Sequence, residues 1–211
     1  MHQQRRCFAM MAGRSTRYAQ SQFCGWTDTP LAAEGRQAVL ALRETFQRDG
    51  IELPKIWYVS DRRRAVATFE IMSAAMHAPV VRLSAALREI NFGHYETLTW
   101  DELPADFQSH YEYSLSRPSE LRFPGGESFG DFCDRVTRGL LQILAEDKDD
   151  SNIGIIGHQG SMRIFFMVAN GIKLDAFFDD TPQPGSGDWI SISLADVEAW
   201  RSEHLREFLD V

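Results

Sequence analysis

The sequence predicts an α/β fold, a three-layer sandwich in which a mostly parallel central sheet lies between layers of helices. Three observations carry that expectation. Apolar runs of strand length alternate with stretches of helical periodicity along the chain, and such alternation belongs to sheets whose parallel strands are joined by crossover helices. Several of the runs stop at a polar or glycine-framed residue, namely before Gly13, Ser60 and His158, and parallel sheets gather ligands beyond the carboxyl ends of their strands. The chain has 211 residues, 44% hydrophobic and 25% charged, which suits one globular domain with a sizeable core. No internal repeat, low-complexity tract or linker divides it, so a single domain over residues 1–211 is expected.

Each element has its own signal. RCFAMM, residues 6–11, reads as a short buried strand, and AAEGRQAVLALRETFQRDG, ending at Gly50, reads as an amphipathic helix with a glycine stop. KIWYVSD combines β-branched and aromatic residues, as strands do, and leads into RRRAVATFEIMSAAM, a second helix. VVRLSAALREI contributes a short strand and an extended segment. Residues 97–118 read as a helical excursion, part of a lid expected over about 94–123. GGESFGDFCDRVTRGLLQILAED is a long amphipathic helix, NIGIIGH a buried strand and SMRIFFMVANG a further helix. DWISISLADV, residues 188–197, reads as a late strand, and helix is expected for the last residues.

Composition excludes several functions. A formal net charge of -8 gives no general attraction to nucleic acid or to an anionic membrane surface, although a local arginine cluster could still hold a small anion. The three cysteines, Cys7, Cys24 and Cys133, are too few and too widely spaced for a disulfide framework or a zinc ribbon, so reduced thiols and a cytoplasmic location are expected. MHQQRRCFAMMAG makes a poor signal peptide, and no run of about 18 apolar residues suggests a membrane span. No metal or cofactor is implied. His158 lacks a second histidine or cysteine at ligand spacing, and Asp147, Asp149 and Asp150 read as a solvated loop.

Four stretches could carry chemistry. VSDRRRAVAT sets Ser60 at a strand end and Arg62, Arg63 and Arg64 at a helix start, where free amides and planar guanidinium donors favour an anion. A solvated basic first turn is the bland alternative. IIGHQGSMR ends a strand with a glycine-framed histidine, His158, which by itself fits a structural role as well as a catalytic one. LREINFGHYETLT offers Glu89, His94 and Glu96; a carboxyl there is either a general acid or an exposed loop acid. FAMMAGRSTRYAQ leads an apolar run through a glycine turn, as phosphate-binding segments do, without a histidine or an arginine before Gly13.

Taken in order, these pieces resemble the histidine phosphatase superfamily, the phosphoglycerate mutase-like proteins. QFCGWTDTPLAAEGRQA is similar to the segment that follows that family's first strand, SDRRRAVAT to its second-strand arginine motif, LREINFGHYETLT to its acid loop, FPGGESFGDFCDRV to its Pro-Gly-Gly-Glu-Ser helix start, and IIGHQG to its second histidine motif. The short stretch from Glu89 to Pro124 is closer to the small phosphatase branch than to the cofactor-dependent mutases.

The resemblance implies a mechanism in which a first histidine takes up a phosphoryl group. A second histidine and two arginines hold the phosphate, and a carboxylic acid protonates the leaving oxygen. Arg64 falls on one pocket arginine, His158 on the second histidine and Glu89 on the proton donor; Gly13, Arg14, Ser15 and Cys24 border the ligand. The family's Arg-His-Gly falls on Met11, Ala12 and Gly13, and its asparagine on Tyr18. An engineered substrate trap would remove the histidine alone, so loss of all three points to natural divergence.

The resemblance therefore implies a divergent, pseudoenzyme-like member that binds a small phosphorylated or anionic ligand and has little ordinary phosphatase activity. The runner-up is a phosphomonoester hydrolase of altered chemistry, with His158 as nucleophile or base, Glu89 as acid, and Arg14 and Arg17 replacing lost charge. The sequence leaves room for a homodimer or a regulatory protein partner.

Overall fold

The computed structural model describes residues 5–17, 20–146, 152–179 and 188–205. Tyr18, Asp147, Asp149 and Asp150, which the sequence reading singled out, lie outside the described residues.

Alternation along the first strand organises the molecule. In β1 (Arg5–Met11) the side chains of Cys7 and Ala9 enter one core, while those of Phe8 and Met10 enter another, because successive strand residues point to opposite faces. The same division runs through β2 (Ile56–Ser60) and β4 (Ile153–Gly157): Tyr58, Ile153 and Ile155 face one core, Trp57, Val59 and Ile156 the other. A sheet buried on both faces needs a helical layer on each. One is α1 (Ala33–Arg48) with α2 (Arg63–Ser73), which bring Val39, Phe46, Phe69 and Met72. The other includes α4 (Phe129–Glu146), α5 (Gln159–Ala169) and α6 (Leu194–Trp200), which bring Val136, Leu140, Phe165 and Val197.

With β3 (Val80–Ser84) and β5 (Asp188–Ile192), the sheet has the order β3-β2-β4-β1-β5. The first four strands are mutually parallel and β5 runs antiparallel beside β1. All five residues of β4 are buried, which explains its run of isoleucine and glycine. Gly154 leaves the space taken by the Trp57 indole, since a Cβ there would lie 2.3 Å from the ring.

The three central strands end where the sequence placed them. Met11 stands opposite Gly157 at the carboxyl ends of β1 and β4, and β2 ends beside them at Ser60. The excursion is anchored: α3 (Ala105–Ser114) and its short 3-10 neighbours send Leu103, Phe107, Leu121 and Phe123 into the core under α4.

Several boundaries differ from the sequence reading: α4 starts at Phe129 and not at Gly125, and α2 ends at Ser73 and not at Met76. The late strand stops at Ile192, not Val197, because Ser193 and Asp196 form a capping box: the Ser193 amide donates to the Asp196 carboxylate at 2.7 Å and the Asp196 amide to the Ser193 hydroxyl at 3.2 Å. Helix α5 starts at Gln159, two residues early, and His158 is its N-cap. Among the described residues no helix is long and apolar enough to cross a membrane.

Candidate functional site

Beyond the carboxyl ends of β1, β4 and β2 lies a pocket of about 280 Å³, lined by Met11, Ala12, Gly13, Arg14, Ser15, Cys24, Arg64, Glu89, His158 and Gln159. Every residue assigned to the site from sequence is therefore in one place. Two strand-to-helix turns, after β2 and β4, the long connection from β1 to α1 and the loop after β3 supply them, and each is positioned by a local device.

His158 follows β4 directly. Its amide donates to the Ser161 hydroxyl at 2.8 Å, and that hydroxyl donates on to the Leu87 carbonyl at 3.1 Å, so the first turn of α5 fixes the histidine backbone. The ring is buried. Nδ1 accepts from Arg64 Nε at 3.2 Å, which assigns the ring proton to Nε2 and makes it the donor to Ser60 Oγ at 2.8 Å. Burial, then the Arg64 and Arg62 guanidiniums, hold the His158 pKa well below the ordinary histidine value. It is a neutral imidazole with both nitrogens engaged.

Arg64 is 4% exposed and sits in the first turn of α2. Besides His158 it donates through Nη1 to the Thr27 carbonyl at 3.3 Å, and through Nη2 to the carbonyls of Cys24 at 3.2 Å and Gly25 at 2.9 Å. All three guanidinium nitrogens thus have protein acceptors. Its neighbours do not join it: Arg62 pairs with Asp61 and donates to the Trp26 carbonyl at 2.9 Å, while Arg63 is exposed. The Arg63 amide is capped by the Asp28 carboxylate at 2.8 Å.

The loop that receives Arg64 is itself held by a carboxylate. Glu96 accepts from the amides of Gly25 at 3.1 Å, Trp26 at 2.7 Å, Thr27 at 3.1 Å and Phe92 at 3.2 Å. Glu96 is thus a structural anion, not a group at the pocket mouth. His94 is likewise not in the pocket; its ring packs on Gly125, where a Cβ would lie 2.6 Å from Nε2. Arg17 turns away to Gln22, donating at 3.1 Å.

Glu89 stands on the opposite side. Its carboxylate accepts from the amides of Gly160 at 2.9 Å and Ile90 at 3.0 Å, while its carbonyl receives Trp26 Nε1 at 3.1 Å and Arg135 Nη2 at 3.0 Å. Desolvation raises its pKa above the ordinary glutamate value, against the lowering by those amides and by Arg64 and Arg135. Gly160 permits this placement, because a Cβ would lie 2.3 Å from Glu89 Oε1.

The remaining wall is made by backbone. The Ala12 amide donates to the Gly157 carbonyl at 2.8 Å, and the Gly13 amide to Thr68 Oγ1 at 3.0 Å. Thr68 Oγ1 donates in turn to the Arg64 carbonyl at 2.7 Å. Ser15 is buried and donates to Cys24 Sγ at 3.6 Å, and Arg14 lies at the exposed rim. Cys7 and Cys133 are buried in the core and no disulfide joins the three cysteines. Among the described residues no group of three or more His, Cys, Asp or Glu side chains could hold a metal ion.

Sequence reasoning gave no role to Gln159, Thr68 or the amide-binding carboxylate of Glu96, although Thr68 closes the SDRRRAVAT motif, Gln159 follows the histidine of IIGHQG, and Glu96 lies three residues beyond Gly93 in the acid loop.

The histidine phosphatase superfamily (branch 1) model matches residues 12–203. Rat 6-phosphofructo-2-kinase/fructose-2,6-bisphosphatase 1 is 29% identical over 136 residues, which are 64% of this chain but only 27% of that protein's length. YhfR of Bacillus stearothermophilus superposes with a TM-score of 0.76 at 22% identity, covering 89% of this chain and 90% of its own. The alpha-ribazole phosphatase from Shigella flexneri gives 0.74 at 21% identity, covering 89% and 90%. These two likenesses are of fold, and they place this chain among phosphoglycerate mutase-like sandwiches.

Proposed function

We propose that this chain, which belongs to the histidine phosphatase superfamily, binds phosphorylated or other anionic small molecules without the superfamily's phosphohistidine route. The observation that carries this reading is the wall after β1. Met11 and Ala12 line the pocket at the positions that the resemblance gives to an arginine and a histidine. A methyl group cannot accept a phosphoryl group, and a thioether cannot neutralise one. The state of the opposite wall supports the same reading: the His158 Nδ1 lone pair accepts from Arg64 and its Nε2 carries the proton given to Ser60, so neither nitrogen is free to attack, and Arg64 is largely committed to the Cys24–Thr27 carbonyls. An anion would meet Arg14 at the rim, the remaining Arg64 Nη1 donor, and the Glu89 carboxyl, which can donate when protonated.

The test combines calorimetry with phosphate release from a panel of aryl and sugar phosphates, on the protein as it is, on His158→Ala, and on a Met11→Arg, Ala12→His double variant. Saturable anion binding with no release above the His158→Ala level is expected, and release by the double variant. Turnover by the unaltered protein that disappears in His158→Ala would overturn the reading in favour of an enzyme rebuilt on His158.

A further inference from the structure

Beside the anion pocket is a second cavity of about 270 Å³, walled by Phe92, Tyr111, Phe123, Phe129, Phe177 and Phe178 among others. We infer that this cavity is an aryl-binding subsite, so that the ligand is an anion carrying an aromatic or similarly flat apolar group; the anionic end of that ligand rests on the function proposed above.

Continuity is the first argument. Glu89 and Gln159 line both the anion pocket and the aromatic cavity, so the two meet across those side chains and one molecule can occupy both. A further depression of about 420 Å³ shares Glu89, Phe92 and Gln159 and also touches Cys24 and Trp100, which extends the same hollow past the excursion.

Chemistry is the second. The anion pocket presents Arg14, Ser15, Arg64 and His158, whereas the aromatic cavity presents rings, with Glu89 and Arg163 as its only ionisable side chains apart from Tyr111. Arg163 stands at the cavity wall, where its Nη2 donates to the Asp179 carbonyl and its guanidinium lies 5.2 Å above the Phe177 ring. The lining is therefore mainly aromatic, with one cationic side chain at its wall.

Packing is the third. Protein interiors are close-packed, and side chains around a void lose dispersion contacts on that side. The walls here are nevertheless braced, with Phe129 on Phe177 at 4.7 Å, Phe177 on Phe178 at 5.0 Å and Phe92 on Phe123 at 5.0 Å, all edge-to-face. Edge-to-face and offset arrangements are those by which a further ring joins an aromatic cluster. An enclosed apolar cavity of about 150 Å³ accepts a benzene ring, and this one is larger and open on one side, so a ring can enter it.

The test is calorimetric titration with three probes: methylphosphonate, (2-naphthylmethyl)phosphonate and 2-naphthalenemethanol. Phosphonates resist hydrolysis, so residual turnover would not distort the isotherms. The naphthyl phosphonate is expected to bind at least about tenfold more tightly than methylphosphonate, the scale of burying an apolar group of this size. Phe178→Trp and, on the facing helix, Tyr111→Trp fill the cavity; either should remove that gain and leave methylphosphonate affinity unchanged, which also certifies the fold. Equal affinities for the two phosphonates in the unaltered protein, or a gain that survives both variants, would overturn the subsite and leave the anion reading intact. If neither phosphonate binds while the alcohol binds saturably and is excluded by the variants, the anion reading fails and the aryl subsite stands. Absence of binding by all three probes overturns both.

Discussion

The two walls of the anion pocket are built on different principles. The wall after β1 is hydrogen-bonded through its main chain: the Ala12 and Gly13 amides are bonded to the Gly157 carbonyl and to Thr68, and the Met11 and Ala12 side chains contribute packing against the two cores only. On the facing wall the side chains themselves are the scaffold, since Ser60, His158 and Arg64 form a chain of bonds that ends on the carbonyls of Cys24, Gly25 and Thr27. Chemistry on the first wall can be lost without disturbing the fold. On the second it cannot, so the presence of Arg64 and His158 has a structural explanation that owes nothing to catalysis.

Arg64→Met should break the comparison most sharply if it is wrong. Removing the guanidinium strands buried carbonyls on the Cys24–Thr27 loop, and a loss of about 3 kcal/mol in urea unfolding is expected. A cost below about 1 kcal/mol, the scale of one ordinary hydrogen bond, would mean that Glu96 holds the loop unaided. Next is Thr68→Val, which keeps the shape but deprives the Gly13 amide of its acceptor, for about 2 kcal/mol. Thr68 is the only described side chain bonded to both the Gly13 amide and the Arg64 carbonyl, so its loss should loosen both walls.

The third prediction concerns pH. A histidine kept neutral by burial takes up a proton only on unfolding, so its stabilising contribution is complete above about pH 6.5 and is lost as the pH falls toward its depressed native value. The slope is at most about 1.4 kcal/mol per pH unit for a single proton. Glu89 pulls the other way: its raised pKa favours the native state most at low pH, and that advantage is lost as the pH rises above the ordinary glutamate value. His158→Asn should therefore flatten or reverse the rise of stability between pH 5 and 6.5 seen in thermal unfolding, and Glu89→Gln should steepen it. Asp61, held low by Arg88, titrates below this window and does not interfere.

How much of this was legible in the sequence follows from the same contrast. Strand ends are announced by local pattern, and Met11, Ser60 and His158 were placed correctly because apolar runs and helix starts are short-range signals. Glu89 and Arg64 could be assigned only through a resemblance in motif order. What no local signal carries is direction: Arg62, Arg63 and Arg64 are identical in type, and only the helical rotation relative to β2 and β4 decides that Arg64 is buried while Arg63 is exposed. His94 and Glu96 likewise sit in one loop and read alike, yet one packs on Gly125 and the other collects the amides of a segment 69 to 71 positions away. The aromatic cavity was unreadable for a related reason. Its rings come from five separate stretches of chain, and each ring alone looks like ordinary core.

The smallest effect sharpens the comparison from the other side. Ala12→Ser adds a hydroxyl at a half-buried position that lines the pocket, and the amide bond to Gly157 that fixes the residue does not involve the side chain. Stability should change by no more than about 0.5 kcal/mol. Ser60→Ala makes the reverse exchange on the facing wall, where the hydroxyl is fully buried and receives the His158 Nε2 proton; stranding that donor should cost about 1 to 2 kcal/mol. Measured side by side in urea, the two substitutions differ by one oxygen atom each and by which wall carries it. Equal costs would mean that the packing of Ala12 against the core matters to stability as much as the hydrogen bond of Ser60 does.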